Sequence, residues 1–348
     1  MTAPDSRRRD LVVVGGSAGG VEALKAFVAA LPRDLPATVL VGLHVPPTSR
    51  SMLADILDRA GPLPVVAAKD GMPLEPGQVI VAHPDAHLLV VDGTVALGPG
   101  ARENGHRPSH DAMMRSAALA RGPQVVGVVL TGLLDDGAAG LVCIERYGGA
   151  CIVQDPDDAD FPSMPRHALA AVPSARSVPL AELAGEVVRA VSEPVSGSPE
   201  VPEDVRIRDE VELTSALGQT PTMPDGTPAG QPSAYACPDC HGVLNTIPEE
   251  GVLRFRCRTG HAWTADSLVA RQSDSLEEAL WTALRVLEER IDISNRLADL
   301  ALENDRPWSE GHFRGRADEA TRSAEAIRAM LQHPPDEGPL APVHDLAL

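Results

Sequence analysis

The sequence predicts an α/β fold: a doubly wound, mostly parallel sheet with a small antiparallel hairpin, followed by a small cysteine-containing module and an α-helical hairpin. Apolar strand-like runs alternate with helical patterns from residue 11 to about 190, and such alternation is typical of a parallel sheet covered by helices. Three of the five cysteines fall between residues 237 and 257, and long helical periodicity follows from about residue 274.

The first predicted strand, LVVVGG at 11–16, is apolar throughout, which suits a parallel strand that is buried on both faces. The helical pattern VEALKAFVAAL follows it. Further strands are predicted at 38–45, 65–68, 79–82, 125–132 and 150–155. The segments LLVVDG and TVALG, which meet at Asp92-Gly93, predict an antiparallel hairpin.

Composition divides the chain into six segments. After residue 192 proline, glycine, serine and acidic residues replace the apolar pattern, apart from the short stretch VRIRDEVEL. The predicted segments are an N-terminal tail at 1–10, an α/β domain at 11–192, a linker at 193–233, the cysteine-containing module at 234–272, a helical hairpin at 273–333 and a disordered tail at 334–348.

The helical hairpin is predicted to begin at about residue 274. Ser275 can cap the first helix, and Glu278 three residues later completes a capping box. Leucine, isoleucine and tryptophan recur on one face of this helix. A second helix at about 311–332 is expected to pair with it.

The formal net charge of −19 is unevenly spread along the chain, because residues 191–348 contain 14 basic and 28 acidic residues. This balance argues against a nucleic-acid partner, which would need a basic surface. No apolar run is long enough to span a membrane, and the N-terminus does not resemble a cleavable signal. We therefore expect a cytoplasmic protein without membrane insertion.

The segment GGSAGG places Ser17 on a glycine-flanked turn between the first strand and the first helix. That context fits the nucleophile of a serine hydrolase. The same context also fits an anion-binding or nucleotide-binding loop, or glycines that serve the turn alone. The turn by itself leaves these three interpretations open.

A serine nucleophile needs a base and usually an orienting carboxylate. His44 follows the second strand and Asp136 follows the strand at 125–132, so both are expected at the carboxyl edge of the sheet with Ser17. His83 also ends a strand, and spacing does not choose between His83 and His44. Further histidines at 87, 106 and 110 are expected in loops or turns.

Five ordered motifs resemble the catalytic domain of the chemotaxis receptor methylesterase family, the CheB-type enzymes. They are GGSAGG, GLHVPP, HRPSHDAMM, LTGLLDDGAAG and QDPDDADFPSMPRHA. The resemblance spans roughly residues 10–190. The resemblance implies Ser17 as nucleophile, His44 as general base and Asp136 as the orienting acid, with Asp135 outside the triad. The order Ser, His, Asp differs from that of α/β-hydrolases.

The resemblance further implies that the backbone N–H groups of Ala18 and Leu133 stabilise the oxyanion. The implied substrate is a glutamate γ-methyl ester, or a glutamine amide, on the cytoplasmic helices of a chemoreceptor, and catalysis needs no cofactor. Candidate substrate-cleft residues are Arg107, Ser109, Asp111 and Met164. Two other functions stay open: a catalytically inactive scaffold, and a serine hydrolase that acts on small esters.

The chain departs from the best-known layout of this family, which carries an N-terminal receiver domain. Only ten residues precede the first predicted strand, so we expect no receiver domain and no control by phosphorylation in cis. Regulation is expected from a partner or from the C-terminal half, whose helices could dock that partner.

The cysteine-containing module presents Cys237 and Cys240 as CPDC, then Cys257 and His261 as CRTGH. Two closely spaced ligand pairs are the usual arrangement for tetrahedral zinc. Four protein ligands leave no open position, so the expected zinc ion is structural. His241 does not fit the spacing, and Cys143 and Cys151 are expected to be core residues.

Overall fold

The computed structural model describes residues 8–48, 52–195, 205–215, 230–247 and 251–332. The chain forms two compact units, a larger one up to Leu268 and a smaller one that starts at Val269. The predicted tail at 334–348 lies outside the described residues. None of the helices in the described ranges is both long and apolar enough to cross a bilayer.

A seven-stranded sheet forms the centre of the larger unit, and all its neighbouring strands are parallel. Its order is β3-β4-β2-β1-β7-β8-β9. The strands are β1 Leu11–Gly16, β2 Thr38–Leu43, β3 Val65–Ala67, β4 Val79–Val81, β7 Val125–Val129, β8 Ala150–Gln154 and β9 Arg176–Val178. The predicted doubly wound sheet is confirmed.

Helices cover both faces of the sheet. They are α1 Gly20–Ala30, α2 Leu53–Asp58, α3 His110–Arg121, α4 Ala138–Arg146, α5 Ser163–Ala171 and α6 Leu180–Ser192. Strand β1 is buried throughout: Val12 and Val14 pack into the core that contains Phe27, whereas Leu11 and Val13 belong to the opposite core. Apolar side chains on both faces therefore place β1 in the middle of the sheet.

The predicted hairpin is also confirmed. Strands β5 His87–Val91 and β6 Thr94–Gly98 pair antiparallel through the turn at Asp92 and Gly93. Both turn residues have positive φ, 48° and 76°, which a two-residue hairpin turn of this hand requires. The hairpin packs beside α3, where the hydroxyl of Ser116 accepts a hydrogen bond from the N–H of Val90.

The cysteine-containing module is a four-stranded antiparallel sheet within the larger unit. Its strands, in spatial and chain order, are β10 Gln231–Ala236, β11 Val243–Ile247, β12 Arg254–Cys257 and β13 Ala262–Thr264. Trp263, Phe255 and Leu268 form a small core against Cys237 and Cys257.

Helix α7, Val205–Ser215, lies in the predicted linker. Ile207 and Val211 are buried, so this part of the linker packs as a helix. Composition did not reveal this helix, because its mean polarity is high and its buried polar residue, Glu210, has partners that are distant in sequence.

Five buried charges join α7, α3 and the cysteine-containing module. Arg115 Nη2 lies 2.6 Å from Glu103 Oε1, and Arg254 Nη2 lies 3.0 Å from Glu210 Oε2. Arg256 Nη2 reaches both carboxylates, at 3.1 Å and 3.2 Å. Burial opposes ionisation of Glu210, but Arg254 and the other two arginines lower its pKa to about 2. Removing one member would leave buried charge uncompensated.

Helices α8 Ala265–Glu303 and α9 Pro307–Gln332 form the predicted helical hairpin. The predicted start of the first helix is wrong, because α8 begins at Ala265, directly after β13. Ser275 therefore lies inside the helix, where its hydroxyl donates to the carbonyl of Arg271. The sequence contains a capping pattern that the structure does not use, since the helix already starts upstream.

We expect Glu210→Gln to loosen α7. The substitution leaves three buried arginines with one carboxylate, and breaking a buried pair costs about 3–5 kcal/mol. Hydrogen exchange of residues 205–215 should accelerate, whereas the exposed neighbour variant Glu212→Gln should leave it unchanged. Equal exchange in both variants would contradict this role for Glu210.

Candidate active site

Ser17 lies on the turn between β1 and α1, as its glycine-rich surroundings predict. The N–H of Ser17 donates to the carbonyl of Thr131 at 3.0 Å, which continues the pairing of β1 with the β7 side of the sheet. Gly19 has φ 73°, and a Cβ there would lie 3.2 Å from Thr131. Glycine therefore permits the sharp entry into α1.

His44 follows β2, the parallel neighbour of β1. Its N–H donates to the carbonyl of Gly16 at 3.3 Å, so the two strand ends stay paired up to the site. The side chain of His44 then places Nδ1 at 3.1 Å from Ser17 Oγ.

Asp136 completes a chain of hydrogen bonds. It follows β7, the other neighbour of β1, and its Oδ2 lies 2.7 Å from His44 Nε2. A carboxylate only accepts hydrogen bonds, so the proton of neutral His44 belongs on Nε2. Nδ1 is then the acceptor that faces the hydroxyl of Ser17.

Four further groups donate to Asp136. The hydroxyl of Ser109 and the side-chain amide of Asn104 reach Oδ1 at 2.9 Å and 3.1 Å. The backbone N–H groups of His110 and Asp111, at the start of α3, donate at 2.7 Å and 3.2 Å. The carboxylate therefore sits at a helix N-terminus, which stabilises negative charge.

These contacts oppose the effect of burial on the Asp136 carboxyl. Burial alone would raise the pKa of Asp136, but the neighbouring His110 and the hydrogen bond from His44 hold it well below its usual range. Asp136 is thus an anion that can orient His44 and stabilise its protonated form during a reaction.

His44 lies between two other imidazole rings. His106 stacks on one face with ring centroids 3.6 Å apart, and His110 stacks on the other at 4.1 Å. Gly15 and Gly42 leave the space for His110, since a Cβ at either position would come within 3.0 Å of its ring. Burial first, and then the charge of a protonated His110, lower the pKa of His44 to about 3.

Two backbone N–H groups at the site have no acceptor in the described part of the chain. They belong to Ala18, directly after Ser17, and to Leu133, whose side chain is 54% exposed. Gly132, which precedes Leu133, lies close to Ser17, since a Cβ at Gly132 would lie 2.9 Å from the Cβ of Ser17. Unpaired N–H groups beside a nucleophile are suited to bind a developing oxyanion.

The four candidate cleft residues occupy different positions. Arg107 donates to Asp85 and to the carbonyls of Pro99 and Gly100. Ser109 and Asp111 are buried and both donate to Asp136. Burial, together with the charge of Asp136, raises the pKa of Asp111 well above its usual value. Met164 is buried, with 1% of its surface exposed, and its sulfur lies against Gly132.

The other candidate histidine does not join this group. His83 makes no hydrogen bond to Ser17 or Asp136 among the described residues, and His87 is buried with Nε2 3.0 Å from the carbonyl of Ala101. Asp135 turns away from His44, because its Oδ1 accepts from Thr264 and Ser267. The structure thus brings together Ser17, His44 and Asp136.

Comparison with known proteins gives the family of the chain. The sequence model of the CheB methylesterase family matches residues 12–187, which is half of the chain. The chain belongs to the CheB methylesterase family. It resembles the crystal structure of the Thermotoga maritima CheB methylesterase catalytic domain, with a TM-score of 0.50 and 30% identity over 52% of this chain and 97% of that one.

Curated relatives carry the name protein-glutamate methylesterase/protein-glutamine glutaminase. One from Anaeromyxobacter dehalogenans is 38% identical over 53% of this chain and 54% of its own length. One from Symbiobacterium thermophilum is 37% identical over 54% of this chain and 52% of its own length. The chain therefore spans about half the length of these curated relatives.

The cysteine-containing module brings its four predicted ligands together. The ligand atoms of Cys237, Cys240, Cys257 and His261 all lie within 4.8 Å of one another. His261 Nδ1 is 3.7 Å from Cys237 Sγ and 3.6 Å from Cys257 Sγ, and the sulfurs of Cys240 and Cys257 are 3.6 Å apart. A tetrahedron with metal–sulfur bonds of about 2.3 Å has edges of about 3.8 Å, so the cluster could hold a metal ion.

Sequence reasoning missed three residues of the candidate site: Asn104, His106 and His110. The histidines were expected in loops or turns, without contact to His44. Their only sequence signal is their place in the ENGHRPSHD segment, which precedes and enters α3. Contacts made by a loop that folds back over a strand end leave no periodic pattern.

We expect reaction at Ser17 to persist at acidic pH. With its pKa lowered to about 3, His44 stays neutral from pH 7 to pH 5. The rate constant for labelling of Ser17 by a fluorophosphonate should then change by less than about twofold, whereas a base of pKa about 6.5 would lose about 25-fold.

Far-UV circular dichroism at each pH is the control for this measurement, because the unfolded chain takes up protons on its histidines below about pH 6.5 and stability falls in that direction. A titration of the labelling rate centred near pH 6.5 in folded protein would contradict the burial of a neutral His44.

Proposed function

We propose that this protein is a protein-glutamate methylesterase that hydrolyses glutamate γ-methyl esters through Ser17, His44 and Asp136. The observation that carries the proposal is the continuous path from Ser17 Oγ to His44 Nδ1 and from His44 Nε2 to Asp136 Oδ2, at 3.1 Å and 2.7 Å. The names of the curated relatives support the same activity.

In the first half of the reaction, Ser17 Oγ attacks the ester carbonyl while His44 Nδ1 takes the hydroxyl proton. The carbonyl π electrons move to oxygen and form a tetrahedral oxyanion. Collapse of that oxyanion breaks the bond to the methoxy group, which leaves as methanol with the proton from His44. The glutamyl group is now an ester of Ser17.

In the second half, water attacks the acyl group and His44 Nδ1 takes one of its protons. Collapse of the second tetrahedral oxyanion returns the Ser17 oxygen, which receives the proton from His44, and releases the glutamate carboxyl group. Asp136 stays ionised in both halves and stabilises the imidazolium form of His44. We propose that the backbone N–H groups of Ala18 and Leu133 donate to both oxyanions.

The substrate that we propose is a methylated glutamate on the helical bundle of a chemoreceptor. A glutamine side chain offers the same carbonyl with ammonia as the leaving group, so deamidation at the same site is chemically consistent. The methoxy leaving group is too small to carry much recognition, so we propose that the substrate is recognised by the protein surface around the exposed Leu133 and Phe161.

The cysteine-containing module fits a structural zinc ion held by Cys237, Cys240, Cys257 and His261. Three thiolates and one imidazole are a common zinc donor set, and four protein ligands leave no position for substrate. Two of the cysteines, Cys237 and Cys257, belong to the small core that includes Trp263. A bound zinc ion would therefore join the β10–β11 connection to the β12–β13 connection.

The segment boundaries predicted from composition stay our proposal for the domains. The helical hairpin at 273–333 is the segment that we propose for docking a regulatory partner or for oligomerisation, because it exposes large apolar side chains such as Trp281 and Trp308. We propose the cytoplasm as the location, because a module whose cysteines must stay reduced to bind a metal suits a reducing compartment.

Ser17→Ala should abolish methanol release from a methylated chemoreceptor fragment, by at least about a thousandfold, because no other group replaces the nucleophile. Methanol is measured per folded enzyme, and Ser192→Ala at the exposed end of α6 serves as the control that keeps full activity. Full activity of Ser17→Ala would refute the proposal.

Two wild-type results would point to the other functions. Hydrolysis of small aryl esters without methanol release from the receptor fragment would indicate a small-ester hydrolase. Absence of both activities in folded protein would indicate an inactive scaffold.

The purified chain should contain one zinc ion, measured by elemental analysis, and Cys257→Ser should lose it. The control variant Cys143→Ala removes a core thiol outside the cluster and should keep the metal. Because metal binding is coupled to folding of small modules, chelation should accelerate hydrogen exchange in β11 and β12. A metal content equal to wild type in Cys257→Ser would rule out this ligand set.

A further inference from the structure

The loop at residues 99–108 contacts both the cysteine-containing module and the candidate triad. It carries Asn104, which donates to Asp136, and His106, which stacks on His44. Asn104 is 5% exposed and has φ 53°. A buried asparagine in the left-handed region needs its surroundings to hold it there.

The side chain of Asn104 has partners on both sides. Its amide nitrogen donates to Asp136 Oδ1 at 3.1 Å and to Asp111 Oδ2 at 2.9 Å. Its amide oxygen accepts from the backbone N–H of Thr264 at 2.9 Å. The Thr264 hydroxyl has one proton to donate, and it lies 3.3 Å from this amide oxygen and 2.8 Å from Asp135 Oδ1. Asn104 therefore lies between a strand of the module and the carboxylate that orients His44.

The module also holds the backbone of the loop. The N–H of Asn104 donates to the carbonyl of Ala262 at 2.8 Å, and the N–H of Ala262 donates to the carbonyl of Arg102 at 3.2 Å. The indole of Trp263 lies against Gly105, where a Cβ would lie 3.6 Å from the ring. Strand β13 thus pairs with the loop through main chain and side chain together.

The module also forms hydrogen bonds to Asp135, the residue before Asp136. The hydroxyls of Thr264 and Ser267 donate to Asp135 Oδ1 at 2.8 Å and 2.6 Å. Asp135 precedes Asp136, so the module fixes the backbone on one side of the triad carboxylate while Asn104 binds its oxygen. Glu103 of the loop forms ion pairs with Arg254 and Arg256 of the module, which is a third contact between loop and module.

We propose that Asn104 is a positioning residue for the His44–Asp136 pair and that Thr264 of the cysteine-containing module positions Asn104 in turn. The module is then part of the catalytic apparatus, although it supplies no group that touches the substrate. This inference rests on the proposed esterase function.

The physical reason for this proposal is how the hydrogen-bond donors and acceptors of the Asn104 side chain are used. The N–H of Thr264 occupies the amide oxygen, so the amide nitrogen faces Asp136, whose ionised carboxylate accepts hydrogen bonds and cannot donate one. When the Thr264 hydroxyl is removed, the buried amide oxygen keeps only the backbone N–H of Thr264 as a donor, and Asp135 loses one of its two hydroxyl donors. The loop is then held less tightly beside Asp136. The hydrogen bond from Asn104 to Asp136 is then less well fixed.

The test measures two quantities on the full chain: the rate constant for fluorophosphonate labelling of Ser17, and the final fraction of molecules labelled. A positioning residue affects the rate constant at full labelling, whereas a residue needed only for folding affects the fraction. The variants are Asn104→Ala, Thr264→Val, which removes one hydroxyl from a side chain of the same shape, and Thr264→Ser, which restores the hydroxyl.

We expect the rate constant to fall about tenfold or more in Asn104→Ala and about threefold in Thr264→Val, the sizes expected when a hydrogen bond to a charged group or its support is removed. Thr264→Ser should return the rate constant close to wild type. Ser233→Ala is the matched control, since it removes a hydroxyl that donates to Leu244 within the same module and should leave the rate constant unchanged.

Wild-type rate constants in both Asn104→Ala and Thr264→Val would overturn the inference, as would a lower labelled fraction with an unchanged rate constant in the molecules that react. Failure of the wild type itself to label at Ser17 is a different result. It would refute the proposed function from which the inference starts.

Discussion

The buried carboxylate of Asp136 is the constraint on which the rest of the site depends. An ion without water needs donors from every direction, and Asp136 receives five: two from the start of α3, one each from Ser109 and Asn104, and one from His44. Three of these donors bind Oδ1, so Oδ2 accepts from the N–H of His110 and from His44 Nε2. His44 therefore presents Nδ1 to Ser17. The hydrogen bonds that stabilise the buried charge of Asp136 thus also set the direction of proton transfer, from Ser17 to His44.

The sheet explains why three distant residues can meet, and this much was predictable from sequence. Strand β1 carries Ser17 at its end, and its two parallel neighbours carry His44 and Asp136. Apolar runs predicted the strands, and parallel strands present their carboxyl ends at one edge of a sheet. The choice of His44 over His83 was not predictable from spacing, because both histidines end strands and only the strand order separates them.

The contacts that sequence did not reveal are long-range and polar. Glu210 meets Arg254 and Arg256 across more than 40 residues, so the polar segment around it resembled linker. Ser275 and Glu278 form a local capping pattern, but tertiary structure starts α8 at Ala265. Asn104 gave no signal at all, since its role depends on Thr264, which lies 160 residues away. Local patterns predict elements well, whereas a polar network is defined only once the elements have packed.

The most direct test of this account is the tautomer of His44, read by 15N NMR of histidine-labelled protein at pH 6, with the signals assigned by comparison with His44→Gln. Two-bond couplings distinguish a proton on Nε2 from a proton on Nδ1. The account predicts a neutral ring with its proton on Nε2, facing Asp136. A neutral ring with its proton on Nδ1, or an imidazolium at this pH, would contradict it.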